Sequence, residues 1–244
     1  MQVILRIKRQ NGPESSPYWQ EFACEAERDS SVLSLLEQVN SRSPLTDVTG
    51  AAVEPIEVES GCRQMGCGAC AMLIDGCPRL ACSTFVRELK LKGGRIDLAP
   101  LSKFPLLRDL RVDRSPLLDD VKRLKLWLQQ DAVVDKKELP YEYQSASCLM
   151  CGCCAEVCPN YWPGSAFTGA AVMNMAYRTA SQSPPGKERR RLLRENIRAG
   201  QGHCSRTLSC RKVCPLELPL AYIISRGNRM YLKSLFERKK HHEE

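Results

Sequence analysis

The sequence predicts an α+β protein with two domains, a sheet domain over residues 1–105 and a helical domain over residues 106–244. Apolar and polar residues alternate near the N-terminus in QVILRIKRQ, which is typical of a half-buried strand. In the second half, apolar residues recur at helical spacing, as in LLDDVKRLKLWL. At 244 residues the chain is long enough for two separate cores.

The sheet domain is predicted to begin with a hairpin, continue with a helix and end with further strands. QVILRIKRQ and YWQEFACE flank the turn NGP, while ACAMLID and RLACS flank the turn DGCP. Ser30 or Ser31 caps the helix, because a serine before an apolar periodic segment accepts hydrogen bonds from free amides of the first turn. Arg95–Leu98 is the expected final strand. The apolar face of the helix consists of Val32, Leu35, Leu36 and Val39.

Two helices are predicted in the second domain from their apolar periodicity. Residues 218–240 run from LPLAYIISRG into RMYLKSLFERKK, and their basic end suits anionic lipid headgroups or a membrane-bound partner. An earlier helix covers LLDDVKRLKLWL, with an apolar face formed by Leu117, Val121, Leu124 and Leu128.

The composition points to metal or redox chemistry. Fourteen cysteines occur in a chain that begins without an export signal and has no 18-residue uncharged apolar segment. We therefore expect it in the cytoplasm, or on the cytoplasmic face of a membrane if a partner holds it there. In a reducing compartment such cysteines favour metal binding over disulfides. The net charge of +8 suggests nucleic acid at first sight. Anionic metal centres held by cysteinates would offset much of this charge, which weakens that inference.

The first cysteine group has the spacing of a plant-type [2Fe–2S] site. GCRQMGCGAC gives C-x4-C-x2-C, and a fourth cysteine follows after eleven intervening residues, on the second strand of the predicted hairpin. Glycines let the backbone wrap closely around such a cluster, and the predicted strands and helix fit the β-grasp fold of plant-type ferredoxins. A four-cysteine zinc site stays open as the alternative, although zinc sites favour paired C-x2-C knuckles. The expected ligands are Cys62, Cys67, Cys70 and Cys82, and the glycines are Gly61, Gly66 and Gly68.

The second group contains one complete and one incomplete run of the bacterial ferredoxin type, C-x2-C-x2-C-x3-C-P. In two-cluster ferredoxins the fourth cysteine of each run ligates the other cluster. The complete run, SCLMCGCCAEVCP, therefore predicts a [4Fe–4S] site whose fourth ligand comes from the distant run CSRTLSCRKVCP. Its expected ligands are Cys148, Cys151, Cys154 and Cys214.

The reciprocal site has only three thiolates, because Thr207 stands at the second cysteine position of the distant run. A decayed motif is the alternative, yet the remaining spacing and Pro215 are intact. Three cysteines around a cuboidal core with one corner missing are the ligand set of a [3Fe–4S] cluster, here Cys158, Cys204 and Cys210. The loss of one thiolate should raise the reduction potential of this centre.

Three cysteines remain outside these sets. Cys24 lies in a predicted strand and is expected to be a buried small apolar residue. Cys77 in the DGCP turn and Cys153 between two ligands are expected near clusters without binding iron. In an alternative interpretation, Cys153 competes with Cys154 as a ligand during cluster assembly.

With these motifs in order, the chain resembles the iron–sulfur subunit of succinate dehydrogenase and fumarate reductase. The resemblance runs nearly end to end, through GCRQMGCGACAMLIDGCPRLACST, FPLLRDLRVDRS, CLMCGCCAEVCP and the final C-x5-C-x3-C-P run. It implies a subunit that passes electrons between the FAD of a flavoprotein subunit and a quinone, with no substrate site of its own. It also implies a peripheral position on the cytoplasmic face of the membrane, held by one or more anchor subunits with or without haem b. Consistently, no nucleophile motif, P-loop or dinucleotide fingerprint is present.

The resemblance is weakest at the quinone end. Many ubiquinone-using relatives have two tryptophans after the first C-P, whereas this chain has Trp162 followed by Pro163. Those relatives also have histidine where this chain has Ser205. Both departures favour menaquinone, with Trp162, Ser205 and His203 near its headgroup. Ordinary packing beside Cys158 is the alternative for Trp162.

Three other functions stay open on the sequence. The chain fits an iron–sulfur subunit of a related flavoprotein oxidoreductase, or a soluble polyferredoxin that shuttles electrons between soluble partners. A nucleic-acid-binding protein with structural zinc belongs to another class, which metal and sulfide analysis separates.

Overall fold

The structure, a computed structural model, describes the backbone of residues 1–240 and the side chains of residues 1–235. The chain divides into two compact units, Met1–Arg114 and Ser115–Glu244. The first unit therefore extends past the predicted boundary at residue 105. It includes a two-stranded hairpin of β6 (Leu106–Arg108) and β7 (Arg111–Val112).

The first unit is built on a mixed five-stranded sheet in the order β2-β1-β5-β3-β4. β1 pairs antiparallel with β2 and parallel with β5, and β3 is antiparallel to both β5 and β4. Helix α1 contacts β2, so the sheet and the helix enclose one apolar core as the β-grasp prediction requires. The strands and helix are β1 (Gln2–Arg9), β2 (Tyr18–Glu25), α1 (Val32–Asn40), β3 (Ala71–Ile74), β4 (Cys77–Leu80) and β5 (Arg95–Ala99).

Local sequence explains these boundaries. Ser31 is the N-cap of α1, and its hydroxyl accepts a hydrogen bond from the Ser34 amide at 3.1 Å. The turn between β3 and β4 is formed by Asp75 and Gly76, both with positive φ, at 49° and 76°. Two positive φ values match the twist of adjacent strands in a tight hairpin.

The second unit is helical, and α5 lies at its centre. α5 contacts α2, α3, α4, α6 and α8, and its small residues, from Gly169 to Ala180, allow these close approaches. The helices are α2 (Ser115–Arg123), α3 (Leu139–Ala146), α4 (Cys153–Glu156), α5 (Gly169–Gln182), α6 (Lys187–Ala199), α7 (Ser209–Lys212) and α8 (Leu220–Lys240).

α2 ends earlier than its apolar pattern predicts. Leu128 was expected on its apolar face, but the helix stops at Arg123 and Lys125 adopts a left-handed φ of 50°. Leu124 is buried beyond the helix end, whereas Leu128 is exposed. The predicted C-terminal helix is confirmed as α8. Among the described residues, no helix is long and apolar enough to cross a membrane.

Candidate metal centres

The loop that carries the first three cysteines is wound back on itself. Arg63 and Met65 both have a φ of 59°, and Gly68 has a φ of 76°. Left-handed residues reverse the direction of the chain and turn successive amide groups to one side. The loop thereby forms a concave surface of N–H groups, the arrangement that an anionic cluster needs.

These N–H groups point at the cysteine sulfurs. The amide of Gly66 donates to Cys62 Sγ at 3.0 Å, and the amide of Met65 donates to Cys82 Sγ at 3.3 Å. Donors of this kind stabilise thiolates and the cluster they ligate. Four further amides donate to cysteine Sγ atoms at 3.4 Å: that of Cys62 to Cys67, that of Gln64 to Cys62, that of Ala69 to Cys67, and that of Cys82 to Cys70.

Two glycines of the loop lie against sulfur. A Cβ atom on Gly61 would sit 3.3 Å from Cys67 Sγ, and one on Gly66 would sit 3.6 Å from Cys62 Sγ. The first of these distances is tighter than a normal contact, so a side chain at Gly61 would displace the sulfur. The residues present therefore fit a compact cluster enclosed by backbone.

The fourth cysteine of this group, Cys82, lies just after β4 in a short turn, Ala81–Ser83, instead of within the predicted second strand of the hairpin. Amides bonded to Cys62, from Gln64 and Gly66, lower the pKa of its thiol to about 7. Burial raises the pKa of Cys70 to about 12. Cys62 is half-buried and Cys70 is buried, so the two residues differ in exposure to solvent.

In the second unit, the four cysteines predicted for the [4Fe–4S] site line one cavity. Its other walls are apolar and include Leu149, Ala171 and Leu218. Burial raises the pKa values of Cys148 and Cys214, so a bound cation is what would hold their sulfurs as thiolates. The structure thus brings Cys214 of the distant run to the complete run, with Cys148, Cys151, Cys154 and Cys214 around the cavity.

A second cavity, of about 550 Å³, contains the three cysteines predicted for the [3Fe–4S] site. Cys158, Cys204 and Cys210 line it together with Thr207, whose hydroxyl accepts a hydrogen bond from Ser209 Oγ at 3.3 Å. Thr207 thus lies in the same cavity as the three sulfurs. The lining also includes the buried Phe167, the exposed Leu232 and two arginines, Arg206 and Arg229.

The three remaining cysteines occupy different environments. Cys24 is buried in β2, as predicted, and its Sγ donates to the Val3 carbonyl at 3.5 Å. Cys77 was predicted in the turn, but it is the first residue of β4 and is exposed. Cys153 is fully buried. The pKa of its thiol is raised mainly by a hydrogen bond with Cys151 and, second, by burial.

The residues predicted near the quinone lie on two adjacent loops. Trp162 is 57% exposed. His203 and Ser205 line a polar hollow beside Cys204. Asn160 connects the loops, since its Nδ2 donates to the His203 carbonyl at 2.6 Å and its Oδ1 accepts from Ser205 Oγ at 2.9 Å.

Sequence reasoning missed two residues at these centres, Asn160 and Arg114. The side chain of Arg114 donates to the carbonyls of Gly68 and Ala69 in the first cysteine loop. Neither residue belongs to a cysteine motif, and their partners are 43 or more positions away, so no local pattern identifies them. Within residues 1–235, whose side chains the structure describes, no three His, Cys, Asp or Glu side chains are close enough to share one metal ion.

Comparisons with known proteins agree with this arrangement. Residues 4–119 match the family model of a 2Fe-2S iron-sulfur cluster binding domain. The chain is 33% identical over 235 residues to the succinate dehydrogenase iron-sulfur subunit of Bacillus subtilis, covering 91% of this chain and 90% of that protein. It is 28% identical over 174 residues to the fumarate reductase iron-sulfur subunit of Escherichia coli O157:H7, covering 68% and 70% of the two chains.

A solved structure of similar fold is a chain of the Mycobacterium smegmatis Sdh1 complex in the apo form. The TM-score is 0.75 at 18% identity, and the match covers 95% of this chain and 96% of that chain. This likeness supports the α+β fold over nearly the whole length of the chain.

Proposed function

The chain belongs to the family of iron–sulfur subunits of succinate dehydrogenase and fumarate reductase, and from this premise we propose that it passes electrons through three clusters. It is a subunit of an oxidoreductase complex and carries iron–sulfur centres. We infer that the set is one [2Fe–2S], one [4Fe–4S] and one [3Fe–4S] cluster. Their proposed ligands are Cys62, Cys67, Cys70 and Cys82; Cys148, Cys151, Cys154 and Cys214; and Cys158, Cys204 and Cys210.

The observation that carries this proposal is the exchange of the last cysteine between the two C-terminal runs. Cys214 lines the cavity of the complete run, and Cys158 lines the cavity of the incomplete run. Two independent zinc knuckles would keep each cysteine with its own run. The exchange is the ligand pattern of two-cluster ferredoxins.

When bound, iron–sulfur clusters accept and release one electron at a time, which splits the two-electron chemistry of a flavin into single steps. The chain's own residues hold the clusters and set their environment. Backbone N–H groups around Cys62 and Cys67 offset thiolate charge. Thr207 offers a hydroxyl where a fourth thiolate would stand, which keeps a cluster at this position to three cysteine ligands.

We propose as partners a flavoprotein subunit with FAD and one or more membrane anchor subunits, with or without haem b. The chain then lies peripherally on the cytoplasmic face of the membrane, held by the anchor. Leu208 and Leu232, which line the cavity of Cys204 and Cys210, are exposed, and so is Trp162, four positions after Cys158; this exposed apolar surface suits contact with an anchor.

The proposed electron acceptor or donor at this end is menaquinone. Ser205 replaces the histidine of ubiquinone-using relatives, and its hydroxyl proton is already used in the bond to Asn160 Oδ1. The hydroxyl oxygen remains available as an acceptor for a quinol O–H group. His203 lines the same hollow as Ser205, and Trp162 lies two residues after Asn160 in the chain.

The proposal is tested by purifying the chain with the proteins that accompany it and assaying electron transfer. We expect a flavoprotein with FAD, succinate-dependent reduction of a menaquinone analogue, and slower reduction of ubiquinone analogues. A different flavoprotein would indicate a related oxidoreductase, and full activity of the isolated monomer would indicate a polyferredoxin. Colourless protein with zinc and no acid-labile sulfide would contradict the iron–sulfur proposal.

A further inference from the structure

Arg114 fixes the loop of the first cysteine group from both sides. Its Nη1 donates to the Gly68 carbonyl at 2.7 Å and to the Ala69 carbonyl at 3.0 Å, while its Nη2 donates to Glu59 Oε2 at 2.8 Å. The side chain of Arg114 is only 17% exposed. Glu59 precedes the first cysteine and Gly68 follows the second, so one guanidinium joins the two ends of the loop.

One peptide links Arg114 directly to a cluster ligand. The carbonyl of the Gly68–Ala69 peptide accepts from Arg114, and the amide of the same peptide donates to Cys67 Sγ at 3.4 Å. A cation bound at the oxygen draws electron density from the peptide and makes its N–H a stronger donor. The positive charge of Arg114 is thereby transmitted to the sulfur of Cys67.

We propose that Arg114 is a positioning residue of the two-iron centre that orients and polarises the Gly68–Ala69 peptide toward Cys67. This inference rests on the proposed binding of a [2Fe–2S] cluster by Cys67 and its three partners. Arg114 holds the loop in its wound conformation and favours the reduced, more negative state of the centre. Removing Arg114 lowers the reduction potential and loosens the cluster.

The contacts require arginine and not merely a positive charge. A planar guanidinium reaches two successive carbonyls and a carboxylate at once, whereas the ammonium of lysine is a compact point charge. Glu59 balances part of the charge of Arg114 across 2.8 Å. Neutralising Glu59 therefore has the opposite effect on the potential from neutralising Arg114.

The experiment measures the EPR-monitored midpoint potential of the [2Fe–2S] centre and the rate of cluster loss to a chelator in the assembled complex. In Arg114→Gln we expect a lower midpoint potential and cluster loss about tenfold faster. Removing a residue that supports metal ligands through hydrogen bonds typically has an effect of this size. Arg114→Lys should keep the potential closer to that of the wild type but still lose the cluster faster. Glu59→Gln should raise the potential.

Arg111→Gln is the matched control. Arg111 is 46% exposed and pairs with Glu57 at 3.0 Å, so its replacement should change neither quantity. An unchanged potential in both Arg114→Gln and Glu59→Gln would overturn the inference, as would equal shifts in the control. A wild-type complex without a [2Fe–2S] signal would instead overturn the proposed function.

Discussion

Arg9 and Asp109 form an ion pair inside the first unit, with 2.9 Å between Arg9 Nε and Asp109 Oδ1 and side chains that are 1% and 0% exposed. The other polar atoms of both side chains also form hydrogen bonds. Arg9 also donates to Gln20 and to the carbonyls of Glu54 and Pro55. Asp109 also accepts from the amides of Gln10 and Glu57. The pair therefore ties β1 to the β6–β7 hairpin and to the segment before the cysteine loop.

Asp109→Asn should destabilise the protein by about 3–5 kcal/mol, because it leaves the guanidinium of Arg9 buried without a countercharge. Asparagine tolerates the left-handed φ of 48° at this position, so the loss of charge is isolated from backbone strain. Urea unfolding measures the effect. Arg111→Gln, at an exposed ion pair, should stay within about 0.5 kcal/mol of the wild type. Equal stability of Asp109→Asn and the wild type would show that the pair is dispensable.

Thr207→Cys should convert the three-iron centre. The new thiolate would face the cavity of Cys158, Cys204 and Cys210 and admit a fourth iron. The added negative charge should lower the potential of the centre, and each fall of about 59 mV shifts the one-electron equilibrium about tenfold. EPR of the oxidised complex should lose the three-iron signal, and quinone reduction should slow.

Thr207→Ser is the control for this change, because it keeps a hydroxyl and adds no thiolate. It should retain the three-iron signal and the activity. If Thr207→Cys also retains both, the side chain at position 207 does not face the missing corner of the cluster.

Cys153 and Cys154 should differ sharply despite being neighbours. Cys154 lines the four-cysteine cavity, whereas Cys153 is fully buried and its thiol is hydrogen-bonded to Cys151. Cys153→Ala should therefore retain all three clusters by iron and sulfide analysis, and Cys154→Ser should lose or alter the [4Fe–4S] centre. If Cys153→Ala loses the [4Fe–4S] centre and Cys154→Ser keeps it, the ligand is Cys153 and not Cys154.

Glu138 should make the second unit sensitive to acid. Burial raises the pKa of its carboxyl, but hydrogen bonds from Arg226 and Tyr177 outweigh burial and leave the pKa lowered. A lowered folded pKa contributes stability above the ordinary carboxyl pKa of about 4.3, and this is lost as the pH falls through the folded value. Glu138→Gln should cost about 1.5–3 kcal/mol at neutral pH, because Glu138 accepts charge-assisted bonds.

The same variant should lose less stability than the wild type between pH 5 and 3, as measured by urea unfolding at each pH. Asp119→Asn, at an exposed pair with Lys122, serves as the control and should have little effect at neutral pH. A parallel acid dependence in Glu138→Gln and the wild type would exclude Glu138 as the source.

Local patterns predicted much of the fold because they act over a few residues. The alternation in β1, the Ser31 cap of α1 and the Asp75–Gly76 turn all depend on neighbours in sequence. α2 shows the limit of such patterns. Its apolar periodicity continues to Leu128, yet the helix ends at Arg123 and Lys125 is left-handed. Leu124 and Leu126 are therefore buried from the segment that follows the helix.

The cysteine sets around the two cavities of the second unit were predictable from the spacing within each run together with the exchange of the last cysteine in two-cluster ferredoxins. The residues that hold these sets in place were not. Arg114 contacts a loop 45 positions earlier, and Asn160 contacts Ser205 from 45 positions away. Only folding brings such pairs together, and arginine and asparagine are too common for their presence alone to indicate a role.

The most direct test of the account is an EPR-monitored redox titration of the purified complex. We expect a three-iron signal in the oxidised state, a two-iron signal on reduction and a four-iron signal at lower potential, together one centre of each type per chain. The three-iron centre should be the highest in potential, because it has one thiolate fewer. A titration that shows two [4Fe–4S] centres and no three-iron signal would contradict the assignment of Cys158, Cys204, Cys210 and Thr207.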